Sequence, residues 1–227
     1  MLEKRATAEE LMDAPDLPAA TYAAVLRDLA TVNTMTMARR PTLDFLARAL
    51  AGRKSFRLLD VGFGEGDMLR TVARWAAKRG IVADLVGIDL NPNSVAAGRA
   101  ATSAALKIEY RAGDYSDLVG EHFDLIISSL VAHHMSHDQL ITFLQFMDRE
   151  ARAGWFINDL HRHGFAWLGF PVLARLMRWH RIVRHDGQLS IARSYRPGEW
   201  PAILHQAGVR ASIRRIFPFR LCVEAIR

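Results

Sequence analysis

Three histidines fall within the short stretch SSLVAHHMSHD, at His133, His134 and His137. An imidazole exchanges a proton near neutral pH and also binds transition metals, so this spacing is compatible with a general base or a metal site. Adjacent residues of an extended chain point to opposite sides, so His133 and His134 are not both expected to face the same ligand. His137 and Asp138 stand where a helix is expected to begin, and either could cap it.

A second polar group, INDLHRH, follows another apolar run and contains Asp159 and His161. We expect His161 to be the second candidate base, with Asp159 orienting its ring or selecting its tautomer. No metal site is predicted. The single cysteine, Cys222, offers no zinc-type pair, and Asp138 is the one carboxylate close to the histidine cluster along the sequence.

The elements that must position these groups alternate between strands and helices. The apolar runs FRLLDVGF, DLVGIDL, KIEYRAGD, FDLIISSL and GWFINDL are separated by segments with helical spacing, and two further strands close the chain. This pattern predicts a Rossmann-like, doubly wound α/β fold with a mostly parallel seven-stranded sheet and an antiparallel last strand. We expect a helical cap at residues 1–52, a ligand-binding domain at residues 53–227 and a helical lid at 163–185, after the fifth strand.

Composition narrows the classes of function. The 227 residues carry a net charge of +6, but the arginines are scattered and do not indicate a nucleic-acid-binding tract. One cysteine is typical of a reducing cytoplasm, and the charged N-terminal stretch lacks the apolar centre of an export signal. A cytoplasmic protein is therefore predicted.

The first predicted strand runs into the sequence DVGFGEGD, from Asp60 to Asp67, with glycines at alternate positions. Such glycines allow a sharp turn and a close approach of the backbone to a ligand. The spacing differs from the GxGxxG of dinucleotide sites, and its carboxylates disfavour a pyrophosphate. They suit a cationic ligand such as S-adenosylmethionine.

The next strands also end in polar or aromatic residues. Asp89 ends the second strand and could accept hydrogen bonds from both ribose hydroxyls of a nucleoside. Asp114 and Tyr115 end the third strand, where a carboxylate and a ring suit an adenine, and Ser129 ends the fourth. Because ligands bind beyond the carboxyl ends of parallel strands, these groups are expected to share one site.

The motifs LLDVGFGEGDML, GIDLNP, AGDY and FDLIISSLVAHHM, in this order, resemble those of class I S-adenosylmethionine-dependent methyltransferases. The resemblance implies that the methionine end of the cofactor is lined by Asp60, Gly62, Gly64 and Asp67. It implies that Asp89 and Leu90 hold the ribose and adenine, that Asp114 and Tyr115 hold the adenine edge, and that Ser129 contributes from the fourth strand. Arg40 is the residue expected to meet the methionine carboxylate.

The acceptor is expected beneath the lid. Its apolar wall would be formed by Phe165, Trp167, Phe170, Leu173, Leu176 and Met177, next to a basic edge. The stretches HHM and GWFINDLHRH also resemble methyltransferases encoded beside type III polyketide synthases and, more distantly, those of quinone biosynthesis. This resemblance implies that His134 faces the cleft while His133 packs the other way. It also implies O-methylation of a small lipophilic alkylresorcinol, pyrone or quinol, with transient contact with a membrane surface.

Other functions remain open from the sequence. An NAD-dependent oxidoreductase shares the glycine turn and Asp89, although no Tyr-x-x-x-Lys pair follows the fourth strand. A cofactor-binding accessory subunit and a methyltransferase acting on nitrogen or carbon are further alternatives.

Overall fold

One seven-stranded sheet organises the protein. The computed structural model describes residues 2–14 and 16–227. The strands are β1 (Ser55–Val61), β2 (Val82–Asp89), β3 (Ile108–Ala112), β4 (Phe123–Ser129), β5 (Ala151–Leu160), β6 (Ser212–Ile216) and β7 (Arg220–Ile226). Their order is β3-β2-β1-β4-β5-β7-β6; β7 is antiparallel to both of its neighbours, and the other pairs are parallel. The predicted fold class is confirmed, and the strand order reverses between β1 and β4, where α/β sheets bind ligands.

The helices cover both faces of the sheet and its carboxyl-terminal edge. They are α1 (Ala19–Met35), α2 (Arg40–Ala49), α3 (Asp67–Ala77), α4 (Pro92–Ala101), α5 (His137–Glu150), α6 (Gly164–Leu176), α7 (Arg181–Arg193) and α8 (Trp200–Ala207). α1 and α2 form the helical cap, and α6 and α7 form the insertion after β5. The helical insertion continues to Arg193, beyond the predicted lid boundary at 185. None of the helices within residues 2–14 and 16–227 is both long and apolar enough to span a bilayer.

Strands that are apolar on both sides give the sheet two cores. On one face, Trp155 of β5 packs with α5 and α8. On the other face, α2 and α3 cover the sheet, and the ring of Phe45 stacks on Phe156 with centroids 4.9 Å apart. Burial on both faces explains why β4 and β5 show almost no polar alternation.

The first residues of α4 and α5 follow the known capping preferences, but the cap of α5 is not the residue expected from the sequence. Asn91 accepts a hydrogen bond from the Asn93 amide, and Pro92 is the first residue of α4. The cap of α5 is Ser136, whose side chain forms a capping box with Gln139. The residues expected to cap this helix, His137 and Asp138, are instead its first two residues.

Residues 2–14, here called the N-terminal strap, lie along α7. The Ala6 amide donates to the Ala192 carbonyl over 3.0 Å. The Leu11 and Met12 amides donate to the two carboxylate oxygens of Asp186, over 3.0 and 2.9 Å. The strap thereby reaches the carboxyl-terminal edge of the sheet, where the predicted site residues lie.

Candidate functional site

A cavity of about 1050 Å³ lies beyond the carboxyl ends of the central strands. The turn after β1, the ends of β2 and β4, helices α1, α6 and α7 and the strap all contribute to its wall. One end is formed by the turn at 60–67 and by 89–91, and is called the glycine end. The other is formed by Glu10, Asp13, 133–134 and His161, and is called the histidine end.

The glycine turn needs its glycines for conformation and for space. Gly62, Gly64 and Gly66 have φ angles of 75°, 57° and 74°, in the left-handed region. A side chain at Gly62 would overlap Val131, and one at Gly66 would overlap the Tyr110 ring. At Gly64 the nearest side-chain atom would be 3.5 Å from an added Cβ, so the turn is open there.

Three carboxylates make the glycine end electronegative. Burial raises the pKa of Asp60 well above its usual range, and the charges of Asp67 and Asp89 raise it further. Burial also raises the pKa of Asp89, although it accepts hydrogen bonds from the amides of Asn91 and Gly64 over 2.9 Å each. A cation bound here would stabilise the ionised carboxylates, which favours a positively charged ligand.

The arginine next to this turn differs from the one expected. Arg39 donates from Nε to Asp67 over 2.9 Å and lines the cavity. The Arg40 side chain is 75% exposed, lies 3.9 Å from Asp44 and faces a separate small surface pocket. Because Arg40 already belongs to α2, it is turned by about 100° from its neighbour. Arg39 is therefore placed to meet a ligand carboxylate.

The ends of β2 and β3 offer one flat pocket wall. Leu90 and Tyr115 line the cavity, and the Tyr115 ring packs between Phe143 and Phe146 with centroid distances of 4.9 Å. Asp114 does not line it. Its carboxylate accepts from the Ser116 amide and caps a 3-10 turn, an ordinary structural role for this residue type. The remaining predicted adenine contacts are thus Leu90 and Tyr115.

Ser129 lies in the floor between the two ends. Its buried hydroxyl lines the cavity without a hydrogen-bond partner among the described residues. The neighbouring Ser128 is different, because its hydroxyl donates to the Val61 carbonyl over 3.0 Å. A buried hydroxyl without a partner costs free energy, so Ser129 is suited to contact a ligand.

At the histidine end, His133 and His134 both face the cavity. The expectation that they point in opposite directions is wrong, because residues 132–134 form a 3-10 turn and not an extended strand. The two rings lie 4.3 Å apart. Nδ1 of His134 lies 2.9 Å from Asp13 Oδ2, and the His134 side chain is 27% exposed.

His133 is held between two carboxylates. Its Nδ1 is 2.7 Å from Asp159 Oδ1, and its Nε2 is 3.5 Å from Glu10 Oε1. Burial alone would lower the pKa of His133, but Asp159 and Glu10 outweigh it and raise the pKa to about 9. The same partnership lowers the pKa of Asp159 despite its burial.

The expected pairing of Asp159 with His161 is absent from the described contacts. Asp159 is buried and bound to His133, as above, while His161 lines the cavity from the end of β5. The His161 amide donates to the Phe219 carbonyl over 2.9 Å, and its ring lies 5.3 Å from that of His163. Burial lowers the pKa of His161, and nearby positive groups add to this, so its imidazole is neutral at pH 7.

The lid contributes part of its predicted wall. Phe165, Phe170 and Leu173 line the cavity, whereas the other three predicted wall residues, Trp167, Leu176 and Met177, do not. Phe170 also packs on Trp179 at 6.0 Å. One face of α6 therefore points into the cavity while residues such as Leu176 point outward.

The central part of the chain matches a known family. Residues 58–154 match the model of a family described as "Methyltransferase domain". This span contains the glycine turn, β2 to β4 and the histidine pair. Over this span, which is less than half of the chain, the protein is similar to that methyltransferase family.

Two curated relatives extend this likeness. The chain is 36% identical over 115 residues to a ubiquinone biosynthesis O-methyltransferase of Azorhizobium caulinodans, covering 49% of this chain and 40% of that protein. It is 30% identical over 186 residues to a probable fatty acid methyltransferase of Pseudomonas putida, covering 80% of this chain and 42% of that protein. The chain thus spans about two fifths of the length of each of these relatives.

Solved methyltransferase structures share the fold of this chain. The plantazolicin methyltransferase BpumL, in complex with a triazolic desmethylPZN analog and SAH, aligns with a TM-score of 0.67 at 13% identity, over 92% of this chain and 96% of that one. Human N-acetylserotonin methyltransferase in complex with SAM aligns with a TM-score of 0.67 at 16% identity, over 98% of this chain and 60% of that one. At these identities the likeness shows the fold alone.

Several residues of the candidate site were missed from the sequence. Glu10 and Asp13 approach the histidine pair from the strap, and Arg39 reaches the glycine end from the helical cap. Their acidic or basic side chains resemble many surface residues, and no local spacing links them to the sheet. Only the contacts between distant parts of the chain identify them.

Proposed function

We propose that this protein transfers the methyl group of S-adenosylmethionine to a hydroxyl of a lipophilic aromatic or polyketide-like molecule, such as an alkylresorcinol, pyrone or quinol. The observation that carries the proposal is the single cavity that joins an acidic glycine end to a histidine end beneath an apolar lid. Its volume, about 1050 Å³, is large enough for a cofactor and a small acceptor together.

The glycine end supports the cofactor part of this proposal. Asp60 and Asp89 would favour the positive charges of the sulfonium and ammonium groups, and Arg39 would meet the carboxylate. Leu90 and Tyr115 would lie against the adenine, and the free hydroxyl of Ser129 would find a ligand partner. The glycine turn of a dinucleotide site lacks this concentration of carboxylates, which disfavours the NAD-dependent alternative.

The histidine end supports an oxygen acceptor. In the transfer, a lone pair of the acceptor oxygen attacks the methyl carbon, the carbon–sulfur bond breaks and the sulfonium becomes a neutral thioether. The hydroxyl proton must leave, and we assign its uptake to His134, whose Nδ1 is held by Asp13 while Nε2 faces the cluster. His161 is the second candidate, and Asp159 acts as a positioning residue for His133.

The names of the two curated relatives also favour a lipophilic acceptor. One is a ubiquinone biosynthesis O-methyltransferase and the other a probable fatty acid methyltransferase. In this chain, the residues that α6 and α1 turn toward the acceptor are apolar, among them Phe170, Leu173 and Leu29. Burial of an alkyl chain against this wall would contribute about 0.8 kcal/mol for each methylene.

The outer face of α6 supports delivery of the acceptor from a membrane surface. Leu168, Val172 and Leu176 are 63–77% exposed and repeat at helical spacing. The arginines at 175, 178, 181 and 184 of the same insertion are also exposed, a combination that suits anionic lipid headgroups. We expect flotation with vesicles rich in anionic lipid but not with neutral ones; Leu168→Glu should abolish it and leave S-adenosylhomocysteine binding intact.

Calorimetry tests the cofactor assignment. We expect the wild-type protein to bind S-adenosylhomocysteine and not NADH, and Asp89→Ala to weaken binding by roughly 10- to 100-fold, as for loss of a charged hydrogen-bond acceptor. An absence of binding to the folded wild type, or full affinity in Asp89→Ala, contradicts the assignment.

Turnover with alkylresorcinol, pyrone and quinol acceptors tests the reaction. Mass spectrometry should show one added methyl group, and fragmentation should place it on oxygen. We expect His134→Ala to lower kcat by roughly 100-fold or more with little change in S-adenosylhomocysteine affinity. His137→Ala, at an exposed residue of the same loop region, is the matched control and should retain turnover.

A further inference from the structure

Three side chains at the histidine end converge on one point. A potential ligand atom from each of Glu10, His133 and His134 lies within 4.8 Å of the other two. Nε2 of His133 is 3.5 Å from Glu10 Oε1, and Nε2 of His134 is 3.8 Å from Glu10 Oε2. Each carboxylate oxygen thus faces a different imidazole.

A second layer of carboxylates fixes both rings. Nδ1 of His133 lies 2.7 Å from Asp159, and Nδ1 of His134 lies 2.9 Å from Asp13. These contacts occupy Nδ1 in each ring and leave Nε2 as the atom that faces Glu10. Metal-binding histidines have this arrangement, in which a carboxylate on the far ring nitrogen sets the tautomer and raises the basicity of the ligand.

The loop that carries the two histidines is held from outside the cluster. Arg193 donates to the carbonyl oxygens of His133 and His134, each over 3.2 Å. Arg5 of the strap donates to the His133 carbonyl over 3.2 Å as well. These contacts position the imidazoles without occupying their ring nitrogens.

The spacing fits a small metal ion. Zinc binds nitrogen and carboxylate oxygen at about 2.0–2.2 Å, which places neighbouring ligands of a tetrahedral site roughly 3.4 Å apart. The distances from His133 to Glu10 Oε1, 3.5 Å, and from His134 to Glu10 Oε2, 3.8 Å, exceed this value by about 0.1 and 0.4 Å. Small rotations of the three side chains would bring one oxygen and both nitrogens to a common ion.

From these contacts we propose that Glu10, His133 and His134 bind one divalent transition-metal ion of the zinc type, with an open position facing the cavity. Two imidazoles with one carboxylate favour zinc or cobalt over magnesium, which prefers oxygen ligands alone. All three residues line the cavity, so the remaining coordination position is accessible to water or to an acceptor. The metal would displace the proton that otherwise joins His133 to Glu10.

The consequence for catalysis rests on the proposed function. A hydroxyl bound to such an ion has a lower pKa and releases its proton to solvent more readily, and the ion also holds the oxygen in place. In the metal-loaded protein His134 would be a ligand, and its role as proton acceptor would belong to the metal-free form. The acceptor class is thereby narrowed to molecules that present a phenolic or enolic oxygen.

Titration calorimetry with Zn²⁺ on the 227-residue protein, after removal of metal by a chelator, tests the site. We expect one equivalent to bind, and Co²⁺ to develop the visible absorption of a four-coordinate ion. Glu10→Gln and His134→Gln should each weaken binding by roughly 100-fold or more, and Asp159→Asn by about 10- to 100-fold. The matched controls Glu9→Gln and His137→Gln, at exposed residues, should bind as the wild type does.

The experiments distinguish a wrong metal-site proposal from a wrong proposed function. No Zn²⁺ binding by folded wild-type protein, or undiminished binding in both Glu10→Gln and His134→Gln, would overturn the metal site even if S-adenosylhomocysteine still binds. Zn²⁺ binding without S-adenosylhomocysteine binding would support the site and contradict the function. Circular dichroism on each variant confirms folding, and Glu10→Gln, which keeps the side-chain shape, is the deciding variant if His134→Gln unfolds.

Discussion

Two buried carboxylates at the ends of parallel strands have opposite surroundings. Asp60 ends β1 at 2% exposure, and Asp159 lies near the end of β5 at 3%. The charge of Asp159 is matched by His133, and its pKa is lowered. The pKa of Asp60 is raised by burial and by other carboxylates. The comparison teaches that Asp159 has its counter-charge within the protein, whereas Asp60 lies among carboxylates whose counter-charge a ligand must supply.

The largest effect is expected from removing the matched carboxylate. Asp159→Ala leaves His133 buried without its partner, and breaking such a pair costs about 3–5 kcal/mol. For a chain of this size we expect the Tm to fall by roughly 10 °C. Calorimetric unfolding measures this. A Tm within about 2 °C of the wild type would show that Asp159 and His133 are not coupled.

The second prediction separates backbone strain from close packing in the glycine turn. The Gly62→Ala variant should lose about 1–2 kcal/mol of unfolding free energy because alanine is strained at this left-handed φ. It should lose a further ~1–3 kcal/mol because the added Cβ would overlap Val131. Gly52 has a similar φ, 78°, but no atom lies within 4 Å of an added Cβ. The Gly52→Ala variant should therefore lose only the unfolding free energy that comes from backbone strain. Urea unfolding of both variants measures the difference, and equal losses would contradict the packing argument.

The third prediction concerns Asp60, the carboxyl group whose pKa is raised. The folded-state pKa of Asp60 lies above its unfolded value, so the folded protein retains a proton that the unfolded chain releases as the pH rises from about 4. Asp60 therefore lowers stability across that range, and Asp60→Asn should raise the Tm of the ligand-free protein at pH 7 but not at pH 4. S-adenosylmethionine affinity should fall by roughly 10-fold or more. A lower Tm of Asp60→Asn together with wild-type affinity for S-adenosylmethionine would contradict the conclusion that Asp60 needs a counter-charge from a ligand.

The smallest effects are expected at neighbouring serines. Ser129→Ala removes a buried hydroxyl without a partner and should leave the Tm unchanged or higher, while cofactor affinity falls by about 2- to 10-fold. Ser128→Ala removes a satisfied hydrogen bond and should cost about 1 kcal/mol with unchanged affinity. Unfolding experiments and calorimetry on the two variants test whether Ser129, and not Ser128, contacts the ligand.

The sequence predicted the fold and the glycine end because their signals are local. Strand alternation and the glycines at 62, 64 and 66 act over a few residues, and strand ends meet at one edge of a parallel sheet. The histidine end depends on contacts over long separations: Asp13 reaches His134 from 121 positions away. No periodicity encodes such a contact.

Two other differences came from local geometry that the sequence does not specify. The 3-10 turn at 132–134 brings His133 and His134 to the same side, whereas an extended chain would have separated them. The first residue of α2 decides whether Arg39 or Arg40 faces the cavity, and helix boundaries are the least certain part of a sequence-based prediction. In both cases, moving the boundary of a turn or helix by one residue turns a side chain into or out of the site.

The N-terminal strap also affects the order in which the protein can be assembled during translation. Arg5 donates to the Arg193 carbonyl, 188 positions later, so the strap leaves the ribosome long before its binding surface on α7 exists. The strands β1 to β4 are complete while the strap is still unattached. The glycine turn and the strand ends beside it can thus form early, whereas the histidine end closes only after Arg193 has emerged.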